Sequence, residues 1–321
     1  MKKANRKKWM VVALMFGAGL AAGLLAGKLG VRPTPYPADA VLVPKGQALL
    51  VVVASIGVAG FLGVLLHELG HLAGGLLARL QFWAIIVGAF RLSRSRNRLR
   101  FGLNRTLSQA LGLVMFRFPD THRLRPRMLL LVAGGPLASG LAAVLGFGLL
   151  YGTGLSAHLT REASLAPFSL ALLVQVFAWV NALLFVVSAI PAEAGGFYTD
   201  GARLFNFLRG GRKPNLDVAF TEAYVALTAG TRPRDFALQV WEDLLAHPQE
   251  SLYKVYARLY AYYTCLDQGN PGRARGYLEQ VLQDRQRINP FSRPAILFEA
   301  AYFYAAHLQD PTRAQAFLSP A

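Results

Sequence analysis

Cysteine is almost absent from this chain. Cys265 is the only one among 321 residues, which excludes an intrachain disulfide and a metal site built from cysteines. Acidic side chains are scarce over the first two thirds. Residues 1–210 hold only Asp39, Glu68, Asp120, Glu162, Glu193 and Asp200, against 22 lysines and arginines. Any acid–base or metal chemistry in that stretch must draw on these few carboxylates. Charge of either sign is missing from long runs. Between Ala48 and Leu80 only His67, Glu68, His71 and Arg79 can ionise. A run that apolar excludes an ordinary soluble helix, which needs a polar face toward water.

Apolar residues stand where the charges are missing. They make up 54% of the chain, and the mean hydropathy is +0.35. Four apolar runs are visible, at about Trp9–Leu29, Gln47–Leu80, Met128–Tyr151 and Phe168–Ile190. Each reaches the ~20 residues that carry a helix across a bilayer. The first follows the basic segment MKKANRKK, as in a secretory signal. Its apolar stretch exceeds the roughly 7–15 residues of such a signal, so a retained anchor is expected. The formal charge of +17 predicts orientation in a membrane rather than nucleic-acid binding. MKKANRKK places the N-terminus in the cytoplasm, and eleven arginines between Arg79 and Arg127 place that loop there too. Both termini are then cytoplasmic, in an integral protein of the cytoplasmic membrane. The second run enters from outside and carries His67 and His71 to membrane depth near the cytoplasmic face.

Those histidines belong to the motif HELGH, residues 67–71. Four residues apart, they share one helix face and can hold one metal ion. Glu68, next to the first of them, is the candidate general base for an attacking water. An ionisable group at mid-bilayer costs about 2.5–3.5 kcal/mol, so three together mark a functional site. A zinc site contributing about 10 kcal/mol or more would offset that cost. Catalytic zinc takes three protein ligands. Of the remaining carboxylates, Asp120 sits among arginines and is expected in an ion pair, and Glu162 falls in an outer loop. Glu193 and Asp200 both follow the fourth run. Glycines 195, 196 and 201 around Asp200 let backbones approach closely and favour it, with Glu193 as the other possibility.

Three segments together resemble the site-2 protease family of intramembrane zinc metallopeptidases. They are HELGH (67–71), AGGPLASG (133–140) and IPAEAGGFYTDGARL (190–204), within a resemblance covering about Val51 to Leu208. The resemblance implies hydrolysis of peptide bonds in membrane protein substrates. It implies a three-helix core in the second to fourth runs, with His67, His71 and Asp200 as zinc ligands and Glu68 as the catalytic base. The chain departs from the family pattern twice. Where the family usually has Asn in an Asn-x-x-Pro element, Ser188 precedes Pro191, and Asn181 lies seven residues earlier. Ser188 and Asn181 are therefore the substrate-binding candidates. Where the family often has Asn after Gly-Pro, this chain has Ser139. Two alternatives stay open. One is a membrane zincin of the CAAX-processing type, with Glu193 as the third ligand. The other is a non-enzymatic membrane-anchored scaffold with a vestigial metal site.

The expected fold is mainly α: a polytopic helical membrane protein of about four spans, a small interfacial β-hairpin and a C-terminal soluble helical domain. The hairpin is placed at Phe82–Leu103, with its turn at Ser95-Arg96-Asn97 and an edge able to pair with an extended peptide. Residues 1–210 form the expected transmembrane metalloprotease domain. Residues 211–321 carry 12 basic and 11 acidic side chains, the balance of a soluble cytoplasmic domain. Within them NPGRARGYL (270–278) matches DPTRAQAFL (310–318) at a period of 40, each after an aromatic helix. That pattern resembles tetratricopeptide repeats, whose period is about 34 residues. A protein partner is expected at this helical region, besides the substrate and the bilayer.

Overall fold

The computed structural model describes residues 43–95, 98–104, 112–120, 122–159, 164–194, 197–209, 216–228, 230–248, 251–288 and 292–318. The expected span Trp9–Leu29 lies outside the described residues, as do Asp39, Glu162, Gly195, Gly196 and the Arg96-Asn97 pair of the expected turn. Among the described residues three helices are long and apolar enough to cross a membrane: α1 (Lys45–Leu77), α2 (Leu124–Gly152) and α3 (Leu165–Ala189). They coincide with the second to fourth apolar runs. Large apolar side chains on them face outward, Leu50 at 71% exposure and Val144 at 69%. Surfaces of that kind are stable against hydrocarbon and not against water, as in a membrane-associated chain.

Contacts divide the chain into two compact units, Met1–Gly60 with Ala142–Leu183 and Phe61–Leu141 with Leu184–Ala321. In the first unit α2 and α3 meet through small residues. A Cβ on Gly146 would stand 2.9 Å from that of Ala178. Nearby, Phe147 meets Trp179 edge-on, with ring centroids 5.0 Å apart.

The second unit contains the crossing of α1 and α2. Gly70 and Gly134 face each other so closely that a Cβ on either would strike the other's carbonyl oxygen. Gly74 approaches the Leu130 carbonyl in the same way. Helices in lipid gain their contact energy from such close backbone approach. Arginines at the start of α2 fasten neighbouring helix ends. Arg127 donates from Nε to the Ala78 carbonyl at 2.9 Å and from Nη2 to the Arg79 carbonyl at 3.3 Å. It thereby supplies donors to carbonyls that end α1 without partners of their own. Asp120 pairs with Arg127 at 2.8 Å, the ion pair expected of it.

Between α1 and α2 the expected hairpin proves to be a larger element. Four antiparallel strands, β1 (Gln81–Val87), β2 (Phe90–Ser95), β3 (Arg98–Leu103) and β4 (Leu113–Arg117), lie in the order β3-β2-β1-β4. Strand β1 pairs on both sides, Ile85 with Leu92 and with Val114. A central strand buried on both faces reads as a continuous apolar run, and Ala84, Ile85, Ile86 and Val87 are all buried. Gly88, at φ +57°, makes the tight turn to β2.

After α3 come a two-stranded hairpin, β5 (Glu193–Ala194) and β6 (Phe197–Tyr198), and the helix α4 (Asp200–Arg209). Arg125 at the start of α2 caps the far end of α4, with Nε 2.6 Å from the Phe207 carbonyl. The C-terminal helices are α5 (Leu216–Thr228), α6 (Leu238–Ala246), α7 (Leu252–Asp267), α8 (Pro271–Gln283), α9 (Arg293–Ala306) and α10 (Pro311–Leu318). The two similar segments open α8 and α10 with the same cap. Asn270 accepts from Arg273 N–H at 3.0 Å, and Asp310 accepts from Arg313 N–H at 2.9 Å. Aromatic residues at helical spacing form the core here, among them Tyr262, Phe303 and Tyr304 beside Leu278 and Ala314.

Candidate metal centre

His67 and His71 lie one turn apart on α1, and Asp200 is the first residue of α4. One ligand atom from each lies within 4.8 Å of the others. Asp200 Oδ2 stands 3.2 Å from His67 Nε2 and 3.3 Å from His71 Nε2. In a tetrahedral zinc site with bonds of ~2.0–2.1 Å, ligand atoms are about 3.3 Å apart. The observed separations match that edge.

The second ring nitrogens are engaged. His71 Nδ1–H donates to the Leu131 carbonyl at 2.9 Å, and His67 Nδ1 lies 3.0 Å from Ser139 Oγ. With one proton committed to Leu131, His71 turns Nε2 toward the Asp200 carboxylate, and a neutral imidazole would present a bare lone pair there. Two such electron-rich groups repel unless a proton or a metal cation stands between them. Burial opposes ionisation of Asp200, but hydrogen bonds and charge from His67 and His71 outweigh it. They hold the carboxyl well below the usual carboxylate range.

Room for the cation comes from a missing side chain. A Cβ on Gly135 would collide with His71 Nε2 and stand 2.7 Å from His67 Nε2. The space between the imidazoles is open only because residue 135 is glycine. The space, the two histidine–aspartate separations and the donor set suit a metal ion.

Asp200 is delivered by its neighbours. The Thr199 hydroxyl donates to the Ile190 carbonyl at 2.7 Å and accepts from Ala192 N–H at 3.0 Å. It also accepts from Ala202 N–H at 3.2 Å, an N-cap for α4. A Cβ on Gly201 would strike the carbonyl of Ala189 at the end of α3. Cap and contact together fix where α4 begins, and hence where Asp200 points.

Glu68 is 7% exposed and follows His67 directly. Its carboxylate lies against the backbone of Gly112, at φ +108°, just before β4. A side chain there would collide with Glu68 Oε1. Glu193 stands exposed on β5 and is not one of the three converging residues. Ser188 is half-buried, with its hydroxyl donating to the Phe185 carbonyl in its own helix at 3.2 Å. Asn181 belongs to the first unit. It is fully buried, donates to the Phe177 carbonyl at 2.9 Å, and its Oδ1 has no partner among the described residues. Neither residue contacts the histidine–aspartate trio through these bonds. Sequence reasoning missed Gly112, Gly135 and Thr199 as parts of the site. It marked Ser139 only as a departure, whereas its hydroxyl touches a candidate ligand. Only for Thr199 was there a local signal, a threonine just before a helix start.

No family model matches the chain, and no curated protein or solved structure does.

Proposed function

We propose that this chain is an intramembrane zinc metalloprotease that hydrolyses peptide bonds of membrane protein substrates. One observation carries the reading: two imidazoles of one helix and a carboxylate of another converge within 4.8 Å, with the carboxylate 3.2 and 3.3 Å from the imidazoles, beside apolar helices of membrane length. When bound, zinc acts as a Lewis acid toward the scissile carbonyl and acidifies water. His67, His71 and Asp200 hold it, with Ser139 and the Leu131 carbonyl setting the imidazole planes. Glu68 takes the proton of the attacking water and passes it to the leaving amine. A sheet edge, β3 or β4, holds substrate in extended form, because a helix hides its carbonyls. The basic loops keep both termini cytoplasmic, where helices α7–α10, in tetratricopeptide-like pairs, recruit a protein partner.

The exposed position of Glu193, outside the trio, weighs against a glutamate-ligand zincin of the CAAX-processing type. Proteolysis is tested by comparing membrane proteomes of cells carrying wild type or Glu68→Gln. The expected result is at least one membrane protein that accumulates uncut in the variant. Identical proteomes and phenotypes would favour the scaffold reading.

A further inference from the structure

Beside α4 lies an open cavity of about 340 Å³, lined by β4, α2, α4, α5 and α7. Its walls are apolar and aromatic, with Phe116, Met128, Phe220, Tyr256 and Tyr260 among them. Arg203 is the one charged residue in the lining among the described residues. Its buried Nε has no hydrogen-bond partner among the described residues. A guanidinium stays charged at any physiological pH and offers five donors in a planar fork. Buried donors of this kind normally meet an acceptor, and no carboxylate among the described residues lines the space. We propose that the cavity binds a single-chain amphiphile, its anionic head on Arg203 and its tail along the aromatic wall.

Three features select that chemistry. The lone cation calls for one anionic group, carboxylate or phosphate, which the fork can grip bidentately. The apolar wall calls for a body that a free inorganic anion lacks. The volume lies at the low end of the roughly 300–1,000 Å³ of small-molecule sites, so it suits one alkyl chain and not two. None of the histidine–aspartate trio lines the cavity, and the test reads binding without hydrolysis.

The test uses full-length protein in phosphatidylcholine nanodiscs, with empty discs as the blank. Equilibrium binding is measured for laurate, dodecyl phosphate, dodecanol and inorganic phosphate. Laurate, dodecyl phosphate or both should bind saturably at one per chain, with dodecanol and inorganic phosphate at least tenfold weaker. Whichever anion prevails identifies the source of the head group. Arg203→Gln should lower anion affinity to the dodecanol level, and Arg203→Lys should retain part of it. Equal binding of laurate, dodecyl phosphate and dodecanol by wild type would overturn the proposal, and needs no variant that might misfold. Absence of saturable binding, or inorganic phosphate matching dodecyl phosphate, would also overturn it.

Discussion

At the scale of single residues, two glycines divide the candidate chemistry into separable parts. Gly135 leaves open the space between the imidazoles, so Gly135→Ala should exclude the metal without removing any ligand. Metal content after purification should fall at least tenfold while the helical circular-dichroism signal is kept. Gly112 governs the other part. A methyl group there meets Glu68 and must also adopt a positive φ, which L-residues resist. Gly112→Ala should therefore retain metal and lose about 10²-fold or more in turnover, in line with the general-base contribution. If both variants lost metal equally, the separation of base from ligands would be wrong. The histidines and Glu68 were legible in the sequence because their spacing is local to one helix. Gly112, Gly135 and Ser139 were not, because their roles are set by contacts with residues 44 to 72 positions away.

At the scale of elements, the site depends on how α4 begins. Thr199 ties three backbone groups together, at residues 190, 192 and 202. Loss of an N-cap alone costs about 0.5–2 kcal/mol, and here the turn before Asp200 loosens as well. Thr199→Val should lower the melting temperature and weaken metal affinity about tenfold, as outer-shell changes do. Thr199→Ser should restore both. A Val variant with unchanged metal affinity would mean that α4 is positioned by Gly201 and Arg125 alone. The three long apolar helices were legible because length and apolarity suffice to mark them. The strands were legible in part. A doubly paired β1 announces itself by a continuous apolar run, whereas the five residues of β4 become a strand only by pairing with β1 across a sequence gap. The arginines before α2 were read as an orientation signal, yet Arg125 and Arg127 also cap the ends of α4 and α1.

At the scale of the molecule, the C-terminal helices and the Asp200 loop belong to one unit. Tyr198, two residues before Asp200, joins them. Its hydroxyl oxygen lies 2.8 Å from Ser251 Oγ and accepts from Leu252 N–H at 3.0 Å, where α7 starts. Tyr198→Phe removes both bonds, worth about 1 kcal/mol each. Limited proteolysis should then cut near the start of α7 several-fold faster, with metal content unchanged. Unaltered cleavage kinetics would place the attachment elsewhere. In the C-terminal region the repeated segments marked two helix starts. The region's attachment to the ligand loop could not be read, because one tyrosine hydroxyl has no sequence signature. The central claim is that His67, His71 and Asp200 hold one zinc ion. X-ray absorption at the zinc edge of purified full-length protein, prepared without chelators, addresses it directly. The account predicts one zinc per chain, a shell of two imidazole nitrogens plus oxygen at ~2.0–2.1 Å, and loss of the signal in Asp200→Ala. A chain without stoichiometric metal, or a shell unchanged by Asp200→Ala, would contradict it.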